Sequence, residues 1–238
     1  MRYIVLTGDS SGLGKELAIS LKKMGYGVIG ISRHLNEEAE KISSEGEYIH
    51  IDFDLSETQR IKELYLQRIK EREHIVGLIN NAAVAYDDII TNANYDSLEY
   101  MFRINVLSPI MLTKYIIRDM LLKGTSGSLI HITSVCAHTG YKGLSMYAAT
   151  KGALEAFSKG AAREWGRKDI RSNCIAPGFM ETRMSSSLTN DQKDRIYNRT
   201  CLGKATDLSS VVNTVVFLLS EEARSITGTT IHVDSGTI

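Results

Sequence analysis

The chain has 238 residues, of which 43% are hydrophobic and 24% are charged. This length suits one large domain whose apolar residues form a core without disulfides or metal ions. The 28 basic and 28 acidic side chains cancel, so binding to nucleic acid is not expected. Three widely spaced cysteines form no disulfide framework, and no apolar run has the length of a membrane span. We therefore expect a cytoplasmic protein with neither nucleic acid nor a membrane as partner.

Short β-branched segments alternate with longer helical segments along the chain. Helical patterns cover residues 14–24, 57–72, 97–122, 145–166 and 207–220. Seven strands are predicted around them, at residues 3–6, 28–31, 48–53, 76–79, 129–133, 172–175 and 230–233. Strand–helix–strand alternation produces right-handed crossovers and a parallel sheet covered by helices on both faces. The sequence therefore predicts an α/β protein with a single doubly wound domain over residues 1–238.

A glycine-rich turn follows the first predicted strand directly and precedes a helix. It reads Thr-Gly-Asp-Ser-Ser-Gly-Leu-Gly over residues 7–14. Its glycines permit a tight turn, and the backbone N–H groups of the next helix N-terminus can bind a pyrophosphate. A plain surface turn is the alternative, but the position favours a dinucleotide site. The candidate cofactor-binding residues here are Gly8, Ser10, Ser11, Gly12, Leu13 and Gly14.

The end of the second predicted strand distinguishes between the two nicotinamide dinucleotides. An acidic residue there binds the ribose 2′-hydroxyl of NAD, whereas a nearby arginine suits the 2′-phosphate of NADP. Here the strand ends with Ser32 and Arg33 and carries no acidic side chain. A solvated loop arginine is the alternative, but the charge-assisted hydrogen bonds that Arg33 can offer favour NADP(H).

Candidate catalytic residues lie at and after the fifth predicted strand. Tyr147 and Lys151 are one helical turn apart, so their side chains share a face. A neighbouring ammonium favours the ionised phenol, so we expect Lys151 to lower the pKa of Tyr147 toward a range useful for proton transfer. This spacing alone arises easily by chance. Ser134, however, ends the fifth strand at the edge where open α/β sheets bind ligands, and its hydroxyl can hold a carbonyl.

Together these motifs resemble the short-chain dehydrogenase/reductase family over essentially the whole chain. Residues 7–14 resemble its cofactor turn, and residues 80–83 (Asn-Asn-Ala-Ala) resemble its N-N-A-G segment, with Ala83 in place of glycine. The resemblance implies a Rossmann-type NADP-binding domain and a catalytic tetrad of Asn105, Ser134, Tyr147 and Lys151. It implies further cofactor contacts from Asp54, Leu55, Asn81, Ala82, Ala83, Tyr147, Lys151, Pro177, Gly178, Met180 and Thr182.

The resemblance also implies a mechanism. Hydride passes from C4 of the nicotinamide to a carbonyl held by Ser134 and Tyr147, and Tyr147 is the acid in reduction and the base in oxidation. Lys151 holds the nicotinamide ribose and lowers the pKa of the tyrosine, while Asn105 supports a water between Lys151 and solvent. The expected activity is therefore NADPH-dependent reduction of a carbonyl.

Within the family, residues 177–182, 188–192 and 226–228 are most similar to 3-oxoacyl-(acyl carrier protein) reductases. This likeness implies an acyl-thioester substrate and an acyl carrier protein as partner. Ser128 stands where those reductases carry a basic residue, although Arg167 and Lys168 can supply docking charge, and Ser235 replaces a glycine. The alternatives are a sugar, a steroid or another small ketone as substrate, and a non-catalytic NADP(H) sensor, which the presence of Tyr147 and Lys151 disfavours. Residues 182–206 are expected to form a substrate loop and helix.

Small residues on the predicted helix 145–166 permit close packing, either on its own sheet or on a symmetry mate. The family resemblance implies packing on a symmetry mate, within a homotetramer or a homodimer. No His, Cys or carboxylate cluster has the spacing of a metal site. His131 is expected to be a core residue, His138 a mobile loop residue and Cys136 a small buried hydrophobic residue. The small residues are Ala149, Gly152, Ala153, Ala156 and Gly160.

Overall fold

Seven strands of the described chain pair in a single parallel sheet. In chain order they are β1 (Tyr3–Thr7), β2 (Gly27–Ser32), β3 (Tyr48–Asp52), β4 (Ile75–Asn80), β5 (Gly127–Ile132), β6 (Ile170–Pro177) and β7 (Thr230–Val233). Their order across the sheet is β3-β2-β1-β4-β5-β6-β7. The strand order reverses between β1 and β4, where carboxyl ends of strands open a crevice that can bind a ligand. The structure, a computed structural model, describes residues 1–34, 47–72, 74–182, 185 and 188–238.

Helices cover both faces of this sheet, and the predicted doubly wound Rossmann-type architecture is confirmed. The helices α1 and α7 enclose one apolar cluster, which contains Leu17, Val28 and Val215. The helices α2 and α4 enclose another on the opposite face, with Ile29 and Ile116. In the part of the chain that the structure describes, the α-helices are α1 (Gly12–Lys23), α2 (Ile61–Leu64), α3 (Tyr95–Phe102), α4 (Ser108–Lys123), α5 (Ser145–Trp165), α6 (Asn190–Tyr197) and α7 (Leu208–Leu219).

The central strands are apolar at nearly every position because each side chain faces a helix layer. All five residues of β1 are buried. Along β1, Ile4 faces the α1–α7 cluster and Val5 faces the α2–α4 cluster. A parallel strand covered on both faces needs this unbroken apolar pattern. The buried register also brings the carboxyl ends of β1, β4 and β5 to one edge.

Two of the predicted long helices are not continuous. The predicted helix 97–122 is divided into α3 and α4 by a π-turn at Arg103–Leu107, and Pro109, which lacks an N–H, lies in the first turn of α4. The predicted helix 57–72 starts as a 3₁₀ turn at Thr58–Arg60 and ends as a π-turn at Tyr65–Ile69. Both predicted segments are helical, but the π-turns were not predicted, because apolar periodicity reports which face is buried and does not resolve one widened turn.

The three cysteines carry free thiols, with Cys174 buried, Cys136 half-buried and Cys201 exposed. Within the described ranges, none of the helices combines the length and the apolar character needed to cross a membrane. Several buried polar side chains lie near the carboxyl edge of the sheet, among them Asp9, Asn105 and Lys151. The carboxyl edge of the sheet is therefore the candidate location of the active site.

Candidate active site

The glycine turn after β1 is fastened to the end of β4. The hydroxyl of Thr7 accepts hydrogen bonds from the backbone amides of Asn81 and Ala82, both at 3.0 Å. The side-chain amide of Asn81 donates to the carbonyls of Thr7 at 3.0 Å and Gly8 at 3.2 Å. Asn81, a predicted cofactor residue, therefore shapes the turn with its side chain. Ala83 has a negative φ, so alanine is tolerated there.

The turn forms a cradle that fits a pyrophosphate. A Cβ on Gly14 would lie 1.8 Å from the carbonyl oxygen of Gly8, so the turn closes only with glycine there. Gly12 has φ +52°, and a Cβ on it would meet only Thr182, at 3.8 Å, so this face is open. Ser11, the N-cap of α1, makes no side-chain cap hydrogen bond. Ser10, Ser11 and the first-turn N–H groups of α1 are therefore available to an anion.

Other predicted cofactor residues are placed less directly. The side chains of Leu13 and Leu55 lie in the apolar core, so only their backbone atoms can face a cofactor. The carboxylate of Asp54 accepts a hydrogen bond from the backbone amide of Ser56 at 2.8 Å. Adenine contact by residues 54 and 55 therefore stays a prediction.

The segment after β6 approaches the glycine turn from the other side of the crevice. Gly178, which follows Pro177, donates its N–H to the carbonyl of Val233 at 3.0 Å, and a Cβ on it would lie 2.7 Å from the Cα of Asp234. Met180 packs on the α1–α7 cluster, and Thr182 lies opposite Gly12. The predicted pyrophosphate and carboxamide segments thus converge.

A buried carboxylate beneath the turn was missed by the sequence analysis. Asp9 is fully buried, and its Oδ2 binds the Tyr48 hydroxyl and lies 2.8 Å from Nδ1 of His50. Its Oδ1 has no hydrogen-bond partner in the described part of the chain. A Cβ on Gly30 would lie 1.9 Å from Oδ2, so β2 needs glycine to admit the carboxylate. That glycine inside a strand was the available signal.

Asp9 and His50 stabilise each other's charged forms. Burial acts to raise the pKa of Asp9, but hydrogen bonds from His50 and Tyr48 outweigh it, and the pKa is lowered. Burial acts to lower the pKa of His50, but the contact with Asp9 outweighs it, and the pKa is raised. The Ser32 side chain also acts to lower the pKa of Asp9, so this pair lies beside the residues predicted to select NADP(H).

Three of the four predicted catalytic side chains meet at the carboxyl end of β5. The phenol of Tyr147, in α5, lies near the Ser134 hydroxyl, which acts to lower the pKa of the phenol. The ammonium of Lys151 lies 5.5 Å from the centre of the Tyr147 ring and donates to the carbonyl of Ile132 at 2.9 Å. Ser134 itself accepts a hydrogen bond from the amide of Cys136 at 3.2 Å. This cluster combines a hydrogen-bond donor, a proton source and a buried cation.

Burial controls the ionisation of Tyr147. It raises the pKa of the phenol well above its ordinary value, with Cys136 and Asp87 acting in the same direction and the nearby Ser134 hydroxyl opposing. We expected a phenol pKa below its ordinary value, and this expectation is wrong because burial outweighs the other influences. Burial also lowers the pKa of Lys151, to about 8, and its ammonium is directed at the carbonyl of Ile132. The phenol is therefore neutral near pH 7, which is the form that donates a proton.

Asn105, the fourth member, supports the cluster from the π-turn. It is fully buried, and its Oδ1 accepts from the amide of Val84 at 2.9 Å. Its Nδ2 donates to the carbonyl of Val84 at 2.8 Å and to the hydroxyl of Thr150 at 3.1 Å. Asn105 thus joins the loop after β4 to α5 next to Lys151. Its predicted link to a water stays a prediction.

His131 is a core residue, as predicted. Its two ring nitrogens lie 3.1 Å from Nδ2 of Asn80 and 3.3 Å from the hydroxyl of Ser172. Burial lowers its pKa to about 4, so the ring is neutral near pH 7. Across the residues that the structure describes, there is no group of three His, Cys or acidic side chains able to hold a metal ion.

Substitution of Gly14 tests the cradle. In Gly14→Ala, the methyl group cannot fit 1.8 Å from the Gly8 carbonyl, so the turn must open. We expect affinity for a nicotinamide dinucleotide to fall by at least about tenfold, measured by fluorescence titration. Gly166→Ala is the matched control, because its Cβ meets nothing within 4 Å and its φ is −57°. Equal affinity in both variants would contradict this account of the turn.

The Asp9–His50 pair predicts a pH-dependent stability. Because the pKa of His50 is raised on folding, its contribution is complete below the unfolded value of about 6.5 and is lost as the pH rises through the folded value. Because the pKa of Asp9 is lowered on folding, Asp9 stabilises the folded state at pH values above its unfolded pKa of about 3.9. The free energy of unfolding lost in His50→Gln should therefore be largest between about pH 4 and 6.5. Urea denaturation at several pH values measures it, with exposed His34→Gln as control; a loss that grows toward alkaline pH would refute the pairing.

Comparison with known proteins agrees with this geometry. The family model described as enoyl-(acyl carrier protein) reductase matches residues 8–237. A 3-oxoacyl-[acyl-carrier-protein] reductase, FabG, from Buchnera aphidicola subsp. Schizaphis graminum is 32% identical over 234 residues, which are 98% of this chain and 95% of the relative. An L-xylulose reductase from Caenorhabditis elegans is also 32% identical, over 99% of this chain and 95% of the relative.

Among solved structures, 4-hydroxyisoleucine dehydrogenase complexed with NADH superposes with a TM-score of 0.94. The match covers 100% of this chain and 98% of that chain at 23% identity, so it establishes the fold. From the sequence matches over nearly the full length and the crevice described above, the chain belongs to the short-chain dehydrogenase/reductase family and is a nicotinamide-dinucleotide-dependent oxidoreductase.

Proposed function

We propose that this enzyme uses NADPH to reduce a ketone to a secondary alcohol, and that its substrate is a 3-oxoacyl thioester. The observation that carries the proposal is the cluster of Ser134, Tyr147 and Lys151, which faces the same crevice as the glycine turn. The neutral state of Tyr147 suits reduction, because the reaction consumes a proton at the carbonyl oxygen. The curated relatives named above are reductases, which supports the same direction.

Each member of the cluster has a separate task. When bound, the reduced nicotinamide supplies a hydride to the carbonyl carbon. Ser134 donates a hydrogen bond to the carbonyl oxygen, and Tyr147 gives its proton to that oxygen as negative charge develops there. Lys151 uses one N–H on the carbonyl of Ile132, which leaves two donors for the ribose hydroxyls. Its positive charge then stabilises the tyrosinate that proton transfer creates.

The surroundings of Arg33 support NADPH as the reductant. Its guanidinium is exposed and makes a long hydrogen bond, 3.4 Å, to the hydroxyl of Tyr100. A 2′-phosphate beside Ser32 would offer this cation a stronger, charge-assisted partner. The nearest buried carboxylate, Asp9, is already compensated by His50, so it does not repel a phosphate as an unpaired anion would.

A sugar ketone is the second candidate substrate. The Caenorhabditis elegans relative, an L-xylulose reductase, favours it. Asp87 also favours it, because this carboxyl is close enough to Tyr147 to raise the pKa of the phenol, and carboxylates accept hydrogen bonds from hydroxyl-rich substrates. Burial raises the pKa of Asp87 itself. A substrate panel separates the two candidates.

We place substrate binding under the segment that includes α6. Thr189 and Gln192 form a capping box that starts this helix. Glu181 accepts hydrogen bonds from Lys193 at 3.2 Å and from Tyr197 at 2.5 Å, which fastens α6 beside the segment after β6. Of the predicted substrate segment 182–206, residues 183, 184, 186 and 187 lie outside the described residues.

We also propose a cytoplasmic location, with a carrier protein and a second subunit as partners. Arg167 and Lys168 are exposed and can dock an acidic carrier, whereas Ser128 is buried and donates to the carbonyl of Leu218 at 2.9 Å. The small residues of α5 face outward, since a Cβ on Gly152 or Gly160 meets nothing within 4 Å. This favours the symmetry-mate alternative and supports a homotetramer, or a homodimer, with two-fold interfaces.

Replacement of the proposed acid tests the reaction. Tyr147→Phe removes the proton donor and keeps the ring, so we expect NADPH oxidation with acetoacetyl thioester to fall by about 10²- to 10⁴-fold. Tyr95→Phe, at a tyrosine that is 73% exposed, should retain full activity. The wild type, assayed on thioesters and on sugar ketones such as xylulose, identifies the substrate class by the larger kcat/KM. Unchanged turnover in Tyr147→Phe would remove this residue from the mechanism.

Cofactor selectivity is tested at Arg33. In Arg33→Ala, loss of a charge-assisted contact to the 2′-phosphate should raise the KM for NADPH by about 10- to 100-fold and leave the KM for NADH nearly unchanged. Arg163→Ala, an exposed arginine of α5, is the control. Steady-state kinetics with both cofactors measure the effect. A parallel change for NADPH and NADH would show that Arg33 does not read the phosphate.

A further inference from the structure

A buried glutamate binds residues on both sides of Ser134. Glu155 lies in α5, one helical turn beyond Lys151 and two beyond Tyr147, and is 7% exposed. Its Oε1 accepts a hydrogen bond from the hydroxyl of Thr133 at 2.9 Å. The same oxygen lies 2.9 Å from Nε2 of His138. The chain segment that carries Ser134 is therefore held before and after this residue by one carboxylate oxygen.

The residues at the two ends of this segment, Thr133 and His138, have different further contacts. Thr133 is also tied to β6, since its amide donates to the carbonyl of Ile175 at 2.7 Å. Its single hydroxyl proton is shared between Oε1 of Glu155 at 2.9 Å and the Ile175 carbonyl at 3.1 Å. His138 follows the short 3₁₀ turn of residues 135–137, and its ring packs edge-on against His232 of β7, with centroids 4.4 Å apart. The expectation that His138 is a mobile loop residue is therefore wrong, because the ring is bound by Glu155.

We propose that Glu155 is a positioning residue, which fixes the Ser134 segment to the helix that carries Tyr147 and Lys151. The inference rests on the proposed function, in which Ser134 and Tyr147 must reach the same carbonyl oxygen. Displacement of a reacting group by about 1 Å can cost about 100-fold in rate. Glu155 contacts the side chains of Thr133 and His138, and so ties both ends of the Ser134 segment to α5.

The proposal makes Glu155 act through hydrogen-bond geometry, and this separates it from a general role in folding. In Glu155→Gln, a side-chain oxygen remains to accept from both partners. In His138→Gln, an amide N–H replaces the ring N–H. Glu155→Leu and His138→Leu each remove the Glu155–His138 hydrogen bond and place an apolar side chain there to fill the space. Because both leucine variants break the same contact, their combined effect should not exceed that of Glu155→Leu alone.

The test measures kinetics and hydrogen exchange on the same variants. We expect kcat to fall about 10- to 100-fold in Glu155→Leu and in His138→Leu, with the Kd for NADPH and the KM for the carbonyl within about twofold of wild type. Both glutamine variants should retain at least half of the wild-type kcat. Glu164→Leu, at an exposed residue of the same helix, is the control for the substitution itself.

Hydrogen exchange reports the segment without any substrate. The amides of Ala137, His138 and Thr139 donate within this turn, to the carbonyls of Ser134 and Val135. They should exchange faster in the leucine variants and at the wild-type rate in the glutamine variants. If the wild type reduces no carbonyl, the proposed function fails while exchange still tests the contact. If Glu155→Leu does not fold, His138→Leu carries the test, since that side chain is 27% exposed.

Two results would overturn the proposal. One is a leucine variant of normal fold whose kcat and amide exchange match the wild type. The other is a pair of glutamine variants as impaired as the leucine variants, because hydrogen-bond geometry would then not be the relevant property.

Discussion

The hydrogen bond from Lys151 to the carbonyl of Ile132 joins the catalytic helix to the end of the central sheet. Lys151 is 2% exposed, and burial of an ammonium is costly unless it has partners. Burial accordingly lowers its pKa to about 8, so the cation lies close to the point at which it would lose its charge. The register of α5 on β5, and with it the place of Tyr147 beside Ser134, depends on keeping this group where it has an acceptor.

Other buried polar groups also join elements of the fold at the carboxyl edge of the sheet. Asn105 joins the loop after β4 to α5, and Thr7 joins the glycine turn to the end of β4. Each of these bonds connects elements that are distant in sequence but adjacent at the carboxyl edge of the sheet. Buried polar groups with satisfied partners specify one arrangement where apolar packing alone would accept several. The edge is therefore rigid at the positions where reacting groups must meet.

Two buried carboxylates, Asp9 and Glu155, add features that the common motifs of this family do not describe. Each is bound by a histidine, His50 in one case and His138 in the other. Asp9 lies under the region proposed for the adenosine phosphate, and Glu155 lies behind the proposed carbonyl site. Both could have been suspected from one local signal, a glycine inside β2 for Asp9 and a glutamate on the buried face of α5 for Glu155. Neither signal predicts which histidine binds the carboxylate, because that histidine lies in another strand or loop.

The sequence alone determined the strands, their parallel arrangement, the glycine turn and the shared helix face of Tyr147 and Lys151. These features follow from short-range rules: apolar runs need burial on both faces, a tight turn needs glycine, and residues four apart share a helix face. Only the tertiary structure decided that Tyr147 stays protonated, that α3 and α4 are separated at Asn105, and that His138 is held by Glu155. Desolvation and long-range hydrogen bonds depend on which distant segments come together, and no local pattern of residues encodes that.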